Sequence, residues 1–294
     1  MSVRIVALIL VFFCFTDGIH SQQIQNNHLF AQCTFSTMKN PLPLNETAKL
    51  LKTIGYKGIE TWSEKNFYET LSAAHDTGIS LTAAYTALYT QGDDNYHDWR
   101  KCTREMISSS DPGTIFCFHI PPIESDLDSV KIHKMIVQNL REMTVYAASF
   151  GVKTCVYPHY NSYCETVARS VKLSQATGHK GCGAMLTLCH LLKVEGAENA
   201  DKIIEKYADD LLLITISGAD DGDTRSMAMK QLIQPLGEGS YDTYHVLELL
   251  WDNGFSGPVG IQFYGIKEDA SLVIKNSVKV WNRYLRMYIN KKTE

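Results

Sequence analysis

Short apolar runs alternate with amphipathic segments along most of this chain, and this alternation restricts the possible folds more than any other feature of the sequence. Residues 236–266 contain one complete unit. A segment with apolar residues at intervals of three and four ends at Gly254, and Pro258 leads into the apolar run 259–263. The pattern predicts a helix followed by a buried strand.

Eight strands are predicted in this way, and a helical segment follows each of them. The strands are residues 29–36, 58–62, 79–88, 114–120, 152–157, 183–189, 211–216 and 259–263. Strict alternation calls for a parallel sheet covered by helices, and eight repeats favour closure of that sheet into a barrel. No Gly-, Ser- or Pro-rich linker divides the sequence. The predicted fold is α/β, a single (β/α)8 TIM barrel with a parallel eight-stranded core.

Residues 1–21 have the composition of a secretory signal peptide. Arg4 precedes the apolar run 5–15, and small residues follow at 16–21. We expect cleavage after Ser21, which leaves residues 22–294 as the barrel domain of a secreted or lumenal protein. The apolar run is short for a membrane span, which favours cleavage over the alternative of an uncleaved anchor. No later stretch of the sequence is long and apolar enough to cross a bilayer, so we expect no stable membrane association after cleavage.

Charge and cysteine usage exclude some classes of function. The formal net charge is −4, and the sequence lacks a cluster of Lys and Arg interleaved with aromatic residues, so nucleic acid is not an expected partner.

Cysteine positions predict buried thiols. Cys33, Cys117, Cys155 and Cys189 fall in predicted strands, where a thiol behaves as a small apolar group. We expect buried thiols and no disulfide framework.

Several segments, in the order they occur, resemble one family. They are AKLLKTIGYKGIETW, VYPHYNSYCETV, LTLCHLLKVEG, ISGAD and PLGEGSYDTYHVLELLWDNGFSGPVGIQFYGIKED. Together they resemble the xylose-isomerase-like barrels, which include sugar phosphate isomerases, epimerases and endonuclease IV. The resemblance covers nearly all of the chain after residue 21.

The resemblance implies a metal site at the ends of strands five to eight. In the metal-dependent epimerases, Glu, Asp, His and Glu hold a divalent ion there, and the two Glu residues move a proton at the carbon beside a carbonyl. Here the matching positions carry His159, Thr187, residues 215–217 and Gln262, and Gln cannot act as a general base. The usual carboxylate ligands are not found. Whether one divalent metal ion is bound, with His159 and His190 as ligands, is left open.

Polar residues at the predicted strand ends form the candidate site. His119, His159 and His190 close strands four, five and six, and imidazole can move a proton near neutral pH or ligate a transition metal. A single histidine in such a place is more often structural or exposed, but three on adjacent strands favour a shared pocket. The resemblance also implies a substrate-binding role for His190.

We assign these residues as follows. The predicted catalytic residues are His159, His190 and Glu60, and the predicted substrate-binding residues are His119, Gln262, Tyr264 and Lys193. Alternatives stay open for several of them. Glu60 could instead form a salt bridge at the barrel mouth, Tyr264 could serve in packing, and Lys193 could face an anionic group or only solvent. Glu165 or Glu195 could supply a missing carboxylate, although both positions suit the start of a helix.

Two classes of function follow. The first is a secreted barrel that acts on a carbohydrate or polyol by proton transfer next to a carbonyl, in isomerisation, epimerisation or elimination. The second is a non-catalytic barrel that binds a carbohydrate or other small ligand, which the changed metal positions favour. Phosphodiester cleavage would need more zinc ligands and a basic face. Convergence of the strand-end histidines would favour the first class.

Overall fold

The structure is a computed structural model that describes residues 27–32, 37–62, 64–90, 96–123 and 128–293. The predicted signal peptide, residues 1–21, lies outside these residues, as does Cys33. Eight parallel strands close into a barrel in sequential order, because β8 pairs with β1. Strands β1 to β8 are Leu29–Gln32, Gly58–Trp62, Ser80–Ala87, Ile115–His119, Lys153–Tyr157, Cys182–Thr187, Leu211–Ile216 and Val259–Gln262. The predicted (β/α)8 barrel is confirmed.

Ten α-helices are described, and most of them surround the barrel. Helices α1 to α10 are Leu44–Ile54, Glu64–Thr77, Tyr96–Ser109, Ser129–Ala148, Val167–Ala176, Leu188–Val194, Ala200–Tyr207, Met229–Leu232, Thr243–Asp252 and Ala270–Thr293. Within the described ranges, none of these helices has the length and apolar character needed to cross a bilayer.

The prediction for the sixth strand was wrong in one respect. Strand β6 ends at Thr187, and helix α6 begins at Leu188, so Cys189 and His190 are helical and do not belong to a strand. The residues from Leu188 to Leu192 are all buried. A segment that is buried on every side shows no helical period in its sequence, so the sequence pattern predicts a continuation of the strand here.

The barrel interior is filled in layers, because alternate side chains of each strand point inward. The lower layers are apolar and contain Phe30, Ala83, Tyr85, Ile115, Cys117, Cys155, Tyr157, Met185 and Leu213. Two residues beyond Phe30, Met185 and Leu213, the strands carry polar side chains instead. These are Gln32, Thr187 and Thr215, and all three are buried. The interior therefore changes from apolar to polar toward the carboxyl ends of the strands.

The six described cysteines are all free thiols. Cys117 and Cys155 are register partners on β4 and β5, and their sulfur atoms lie 3.4 Å apart inside the barrel. Burial raises the pKa of the Cys155 thiol well above its usual value, so it stays protonated at neutral pH. These two thiols pack as apolar groups beneath the polar layer.

Candidate functional site

A cavity of about 440 Å³ opens at the carboxyl ends of the strands. Its size lies in the range of small-molecule sites, roughly 300–1,000 Å³. It is lined by Gln32, Glu60, Trp62, Tyr157, His159, Tyr160, His190, Met229, Ile233, Gln262 and Tyr264. The lining combines aromatic rings with two imidazoles, two amides and one carboxylate.

His159 and His190 converge in this cavity. Their ring centroids lie 4.0 Å apart with the planes at 51°. The hydroxyl of Tyr157, the last residue of β5, lies 3.1 Å from His190 Nε2. Tyr157 at the end of β5, His159 in the turn after it and His190 in α6 thus form one contiguous group.

Local backbone structure places His159 next to His190. Pro158 cannot donate a ladder hydrogen bond, so β5 ends at Tyr157 and the chain turns. The turn is closed by the His159 amide, which donates to the Cys164 carbonyl at 2.9 Å. Asn161 has φ of 61°, a conformation that Asn tolerates better than most residues. His159 is therefore held by a defined turn.

Hydrogen bonds determine which nitrogen of His159 carries the proton, but they allow either tautomer of His190. His159 Nδ1 lies 2.6 Å from the Tyr160 carbonyl oxygen, which can only accept, so Nδ1 carries the proton and Nε2 of the neutral ring has a free lone pair. In His190, Nε2 faces the Tyr157 hydroxyl, which can donate or accept. Nδ1 of His190 is buried and has no hydrogen-bond partner among the described residues. This nitrogen is available to a ligand.

Burial keeps these imidazoles neutral. It lowers the pKa of His190 well below the usual 6.5, and the neighbouring rings of His159 and His119 lower it further. Burial also lowers the pKa of His159, although the Tyr160 carbonyl and Glu165 oppose the shift. At neutral pH both rings can accept a proton from a ligand, because neither already carries a second one.

His119 lies beside this pair but outside the cavity lining. Its ring centroid is 5.0 Å from that of His159 and 6.3 Å from that of Trp62. Burial, together with His159, lowers the pKa of His119 to about 4. Its position suits support of His159 and Trp62 better than the contact with substrate that the sequence predicts.

Buried polar atoms without partners surround the histidines. Gln32 and Gln262 are register partners on β1 and β8, and Thr187 and Thr215 are register partners on β6 and β7. Within the described structure, Gln32 Oε1 and both threonine hydroxyls lack a hydrogen-bond partner. Gln262 Oε1 accepts from the Tyr264 amide at 3.1 Å. Buried polar atoms are normally paired, so this ring suits a ligand that brings several hydroxyl groups.

The metal site implied by the family resemblance does not fit these residues. His159, Thr187, residues 215–217 and Gln262 occupy the positions concerned, and none of these residues is a carboxylate. In the described part of the chain, no group of three or more His, Cys, Asp or Glu residues is placed to hold a metal ion.

The two histidine rings also stand too close to share an ion. Two imidazoles on one tetrahedral zinc, with Zn–N of about 2.0 Å, would have ring centroids about 5 Å apart. The centroids of His159 and His190 are 4.0 Å apart. A shared ion would require one of the two rings to move.

The remaining predicted residues divide between the cavity and its surroundings. Glu60 lines the cavity and is 8% exposed, but it lies in the middle of β2, which ends at Trp62. Gln262 and Tyr264 also line it. Lys193 does not, because its ammonium group donates to the carbonyls of Arg225 and Met227 at 2.6 and 2.7 Å. Lys193 anchors the loop after β7.

The two other glutamates considered from the sequence hold backbone. Glu165 accepts from the Asn161 amide at 2.8 Å, and Glu195 accepts from the Val167 amide at 3.1 Å, at the start of α5. Neither lines the cavity. Both therefore have the helix-start and loop roles that were the alternative, and Glu60 is the carboxylate that the lining contains.

Sequence reasoning missed six lining residues, among them Tyr157, the last residue of β5. Trp62 ends β2 at the predicted position, so the strand-end rule used for the histidines could have found it. Gln32 ends β1 but lay inside the predicted strand 29–36, so that rule would have missed it. Tyr160 follows His159 directly. Met229 and Ile233 come from the short helix α8 and the residue after it, in a loop whose path over the barrel mouth the sequence pattern does not show.

The fold and the position of the cavity place the protein among the parallel (β/α)8 barrels with polar residues at the carboxyl ends of the strands. The chain belongs to the xylose isomerase-like TIM barrel family, whose sequence profile matches residues 48–284. No curated protein sequence matches the chain.

Solved structures with the same fold share little sequence with this chain. The IolI protein with a bound zinc atom is 17% identical, with a TM-score of 0.71, over 89% of this chain and 99% of its own. The 3-keto-D-glucoside 4-epimerase YcjR from E. coli is 18% identical, with a TM-score of 0.66, over 89% and 100%. The probable 3-DHS dehydratase AsbF from Bacillus anthracis is 14% identical, with a TM-score of 0.66, over 86% and 98%. These similarities establish the fold.

Proposed function

We propose that the protein acts on a carbohydrate or related polyol by proton transfer at the carbon next to a carbonyl. The observation that carries this proposal is the His159–His190 pair, two neutral imidazoles with centroids 4.0 Å apart in the cavity. Structural neighbours within the same fold include an epimerase and a dehydratase, which supports a sugar-modifying class of reaction. Isomerisation, epimerisation and elimination all begin with this proton removal.

The hydrogen bonds suggest a role for each histidine. His159 Nε2 has the free lone pair and would take the proton from carbon. If the Tyr157 hydroxyl donates to His190 Nε2, then Nδ1 of His190 carries a proton. That N–H would donate to the carbonyl oxygen and stabilise the negative charge that develops on it. The residues themselves supply both functions.

Glu60 is the second proton carrier in this scheme. It is the one carboxylate among the described residues that line the cavity. Return of the proton to the former carbonyl carbon, with transfer of the hydroxyl proton between the two oxygens, would give isomerisation. Delivery to the opposite face of the original carbon would give epimerisation. Loss of a hydroxyl group from the next carbon, with proton donation by Glu60 or His159, would give elimination. Gln32 and Gln262 would orient the substrate hydroxyls.

Hydrogen exchange tests this function directly. The purified protein would be incubated with keto-sugars in D₂O, and NMR would follow loss of the proton next to the carbonyl. His159→Gln and His190→Gln should each slow exchange by about 10²–10⁴-fold. His245→Gln is the matched control, because His245 is an exposed histidine on α9 that pairs with Asp201. Exchange that survives both cavity variants would refute the proposed roles.

A non-catalytic binding protein is the second candidate. The observation that favours it is the absence of carboxylates from the ends of β5 to β8 in the described structure, where the resemblance implies metal ligands. A binding protein would still use the unpaired atoms of Gln32, Thr187 and Thr215. Saturable sugar binding without any proton exchange would select this function over catalysis.

We also propose that the protein enters the secretory pathway. The support is the composition of residues 1–21, with an apolar run between Arg4 and small residues. Expression in a secreting cell line followed by N-terminal sequencing tests this. A mature protein that begins at Gln22 is expected. Retention in the cell with Met1 or Ser2 at the N-terminus would contradict it.

A further inference from the structure

We infer that the cavity receives an uncharged glycoside of at least two rings, with one ring at the histidines and the next stacked on Trp62. This inference rests on the proposed function, in that it takes the ligand to be a carbohydrate. It goes further by excluding phosphorylated sugars and by assigning a second subsite at the mouth.

Trp62 presents an exposed aromatic ring at the mouth of the cavity. It is the last residue of β2, lines the cavity and is 41% exposed. One face of its indole stacks on buried Tyr85, with centroids 5.5 Å apart and planes at 22°, and Tyr157 meets it edge-on at 6.1 Å. These contacts hold the indole rigidly and leave its exposed surface at the mouth.

Tyr264 provides a second exposed ring in the same lining. It is 54% exposed and follows β8, and its amide is fixed by the Gln262 side chain. The histidines lie deeper, because His190 is only 5% exposed. Exposure thus rises from the imidazoles to the mouth. The cavity volume of about 440 Å³ leaves space beyond one sugar ring, so a ligand that fills both levels would place a reacting ring at the histidines and a further ring at the mouth.

Exposure of this indole is unusual within the protein. The other three tryptophans, Trp99, Trp251 and Trp281, are between 0% and 3% exposed. A large aromatic side chain at a cavity mouth favours contact with a ligand that has an apolar face. A pyranose ring has such a face in its C–H groups, and its hydroxyls remain free for water or for the amides of Gln32 and Gln262.

The described lining of the cavity offers no cationic partner to an anionic group. The described lining contains no Lys or Arg, and its one charged residue is Glu60. The ammonium of Lys193 lies 5.5 Å from the ring centroid of the lining residue Tyr160, but it is not itself in the lining and it donates to two backbone carbonyls. The sequence of the internal segments outside the described residues, 33–36, 63, 91–95 and 124–127, also contains no Lys or Arg. A phosphate in this cavity would be desolvated without a cationic partner.

Trp62 also provides the signal that tests this inference, because it is the one exposed tryptophan. The full-length mature protein would be titrated with cellobiose, maltose, lactose, glucose and glucose 6-phosphate. Tryptophan emission and its quenching by acrylamide would be recorded, with affinities from calorimetry. At least one disaccharide should protect Trp62 from acrylamide and bind about tenfold more tightly than glucose, as one ring stack would provide. Glucose 6-phosphate should bind no better than glucose.

Three variants separate the indole contact from general effects. Trp62→Ala should remove the tenfold preference for the disaccharide while glucose still binds. Trp62→Phe should keep most of the preference and lose the emission change. Tyr68→Ala removes another exposed aromatic, on α2 and outside the lining, and should change neither measurement.

The outcomes distinguish this inference from the proposed function. If no disaccharide binds more tightly than glucose, or if glucose 6-phosphate binds best, the inference is overturned. The proposed function then stands or falls on histidine-dependent exchange. Disaccharide binding that needs Trp62 but occurs without exchange would support the inference and refute catalysis. If none of these sugars binds, the inference is overturned, and the proposed function is still decided by the exchange experiment with keto-sugars.

Discussion

The phenyl ring of Phe30 lies in the space that a side chain at position 260 would need. A Cβ atom on Gly260 would come within 2.5 Å of Phe30 Cζ. The two residues are register partners on β1 and β8, the pair of strands that closes the barrel. Glycine at 260 therefore lets a large ring fill the interior directly below Gln32 and Gln262.

Gly260→Ala should destabilise the protein because it overpacks this layer. The expected loss is about 1–3 kcal/mol in the free energy of unfolding, measured by urea denaturation. The double variant Gly260→Ala with Phe30→Leu should recover part of that loss, since a smaller side chain makes room for the methyl group. A single variant as stable as the wild type would show that the strands can separate at this position.

Tyr157→Phe should weaken proton exchange without unfolding the protein. The substitution removes the hydroxyl 3.1 Å from His190 Nε2 and leaves that buried nitrogen unpaired. We expect a loss of about 1–3 kcal/mol in stability and a fall of at least tenfold in the exchange rate. Tyr68→Phe, on the surface, is the control and should alter neither. An unchanged rate in Tyr157→Phe would remove Tyr157 from the proposed mechanism.

Acid should destabilise the fold through its buried histidines. The pKa of His119 is lowered to about 4 and that of His190 lies well below 6.5, whereas the unfolded chain titrates near 6.5. Between these values the unfolded state binds more protons, so stability is full above about pH 6.5 and is lost as the pH falls below it. Urea denaturation at pH 7.5 and pH 5 should show the loss, and His119→Asn should reduce it.

His245 provides a contrast with opposite sign. Its hydrogen bond to Asp201 raises its pKa, so any stability it adds is present below pH 6.5 and is lost as the pH rises through the folded-state value. His245→Gln should therefore not reduce the acid sensitivity. If it does, and His119→Asn does not, the buried histidines are not its source.

Lys193→Met should affect the loop after β7 more than ligand choice. The substitution removes two hydrogen bonds from the ammonium group to the carbonyls of Arg225 and Met227, with an expected cost of about 1–3 kcal/mol. The relative affinity for glucose and glucose 6-phosphate, measured by calorimetry, should stay the same. A selective loss of glucose 6-phosphate binding would show that Lys193 faces the ligand after all.

The sequence predicts the barrel well because its strands are buried on both faces. Strands β2 and β7 have the predicted bounds, since Gly58 and Leu211 begin short apolar runs flanked by clear breaks. The helix after β6 escaped prediction for the same reason, because burial on all sides of Leu188 to Leu192 hides its period. Continuous burial thus identifies the core but obscures the change from strand to helix.

The site was predictable only in part. Parallel strands bring their carboxyl ends together, so positions alone indicated that His159 and His190 could share a pocket. Whether a side chain faces the cavity depends on rotamers and on competing partners, which strand position does not give. Lys193 follows His190 in α6 but is held by two carbonyls, and His119 ends β4 but lies outside the lining.

The absence of Lys and Arg from the described lining has a consequence for the rate of binding. Electrostatic attraction accelerates association when a charged ligand meets a cleft of opposite sign, and added salt then slows it steeply. Glu60 is the one charged residue in the described lining, and it is nearly buried. Capture of a neutral glycoside should therefore rely on undirected diffusional encounter. In stopped-flow experiments the association rate constant should change little between low and high ionic strength.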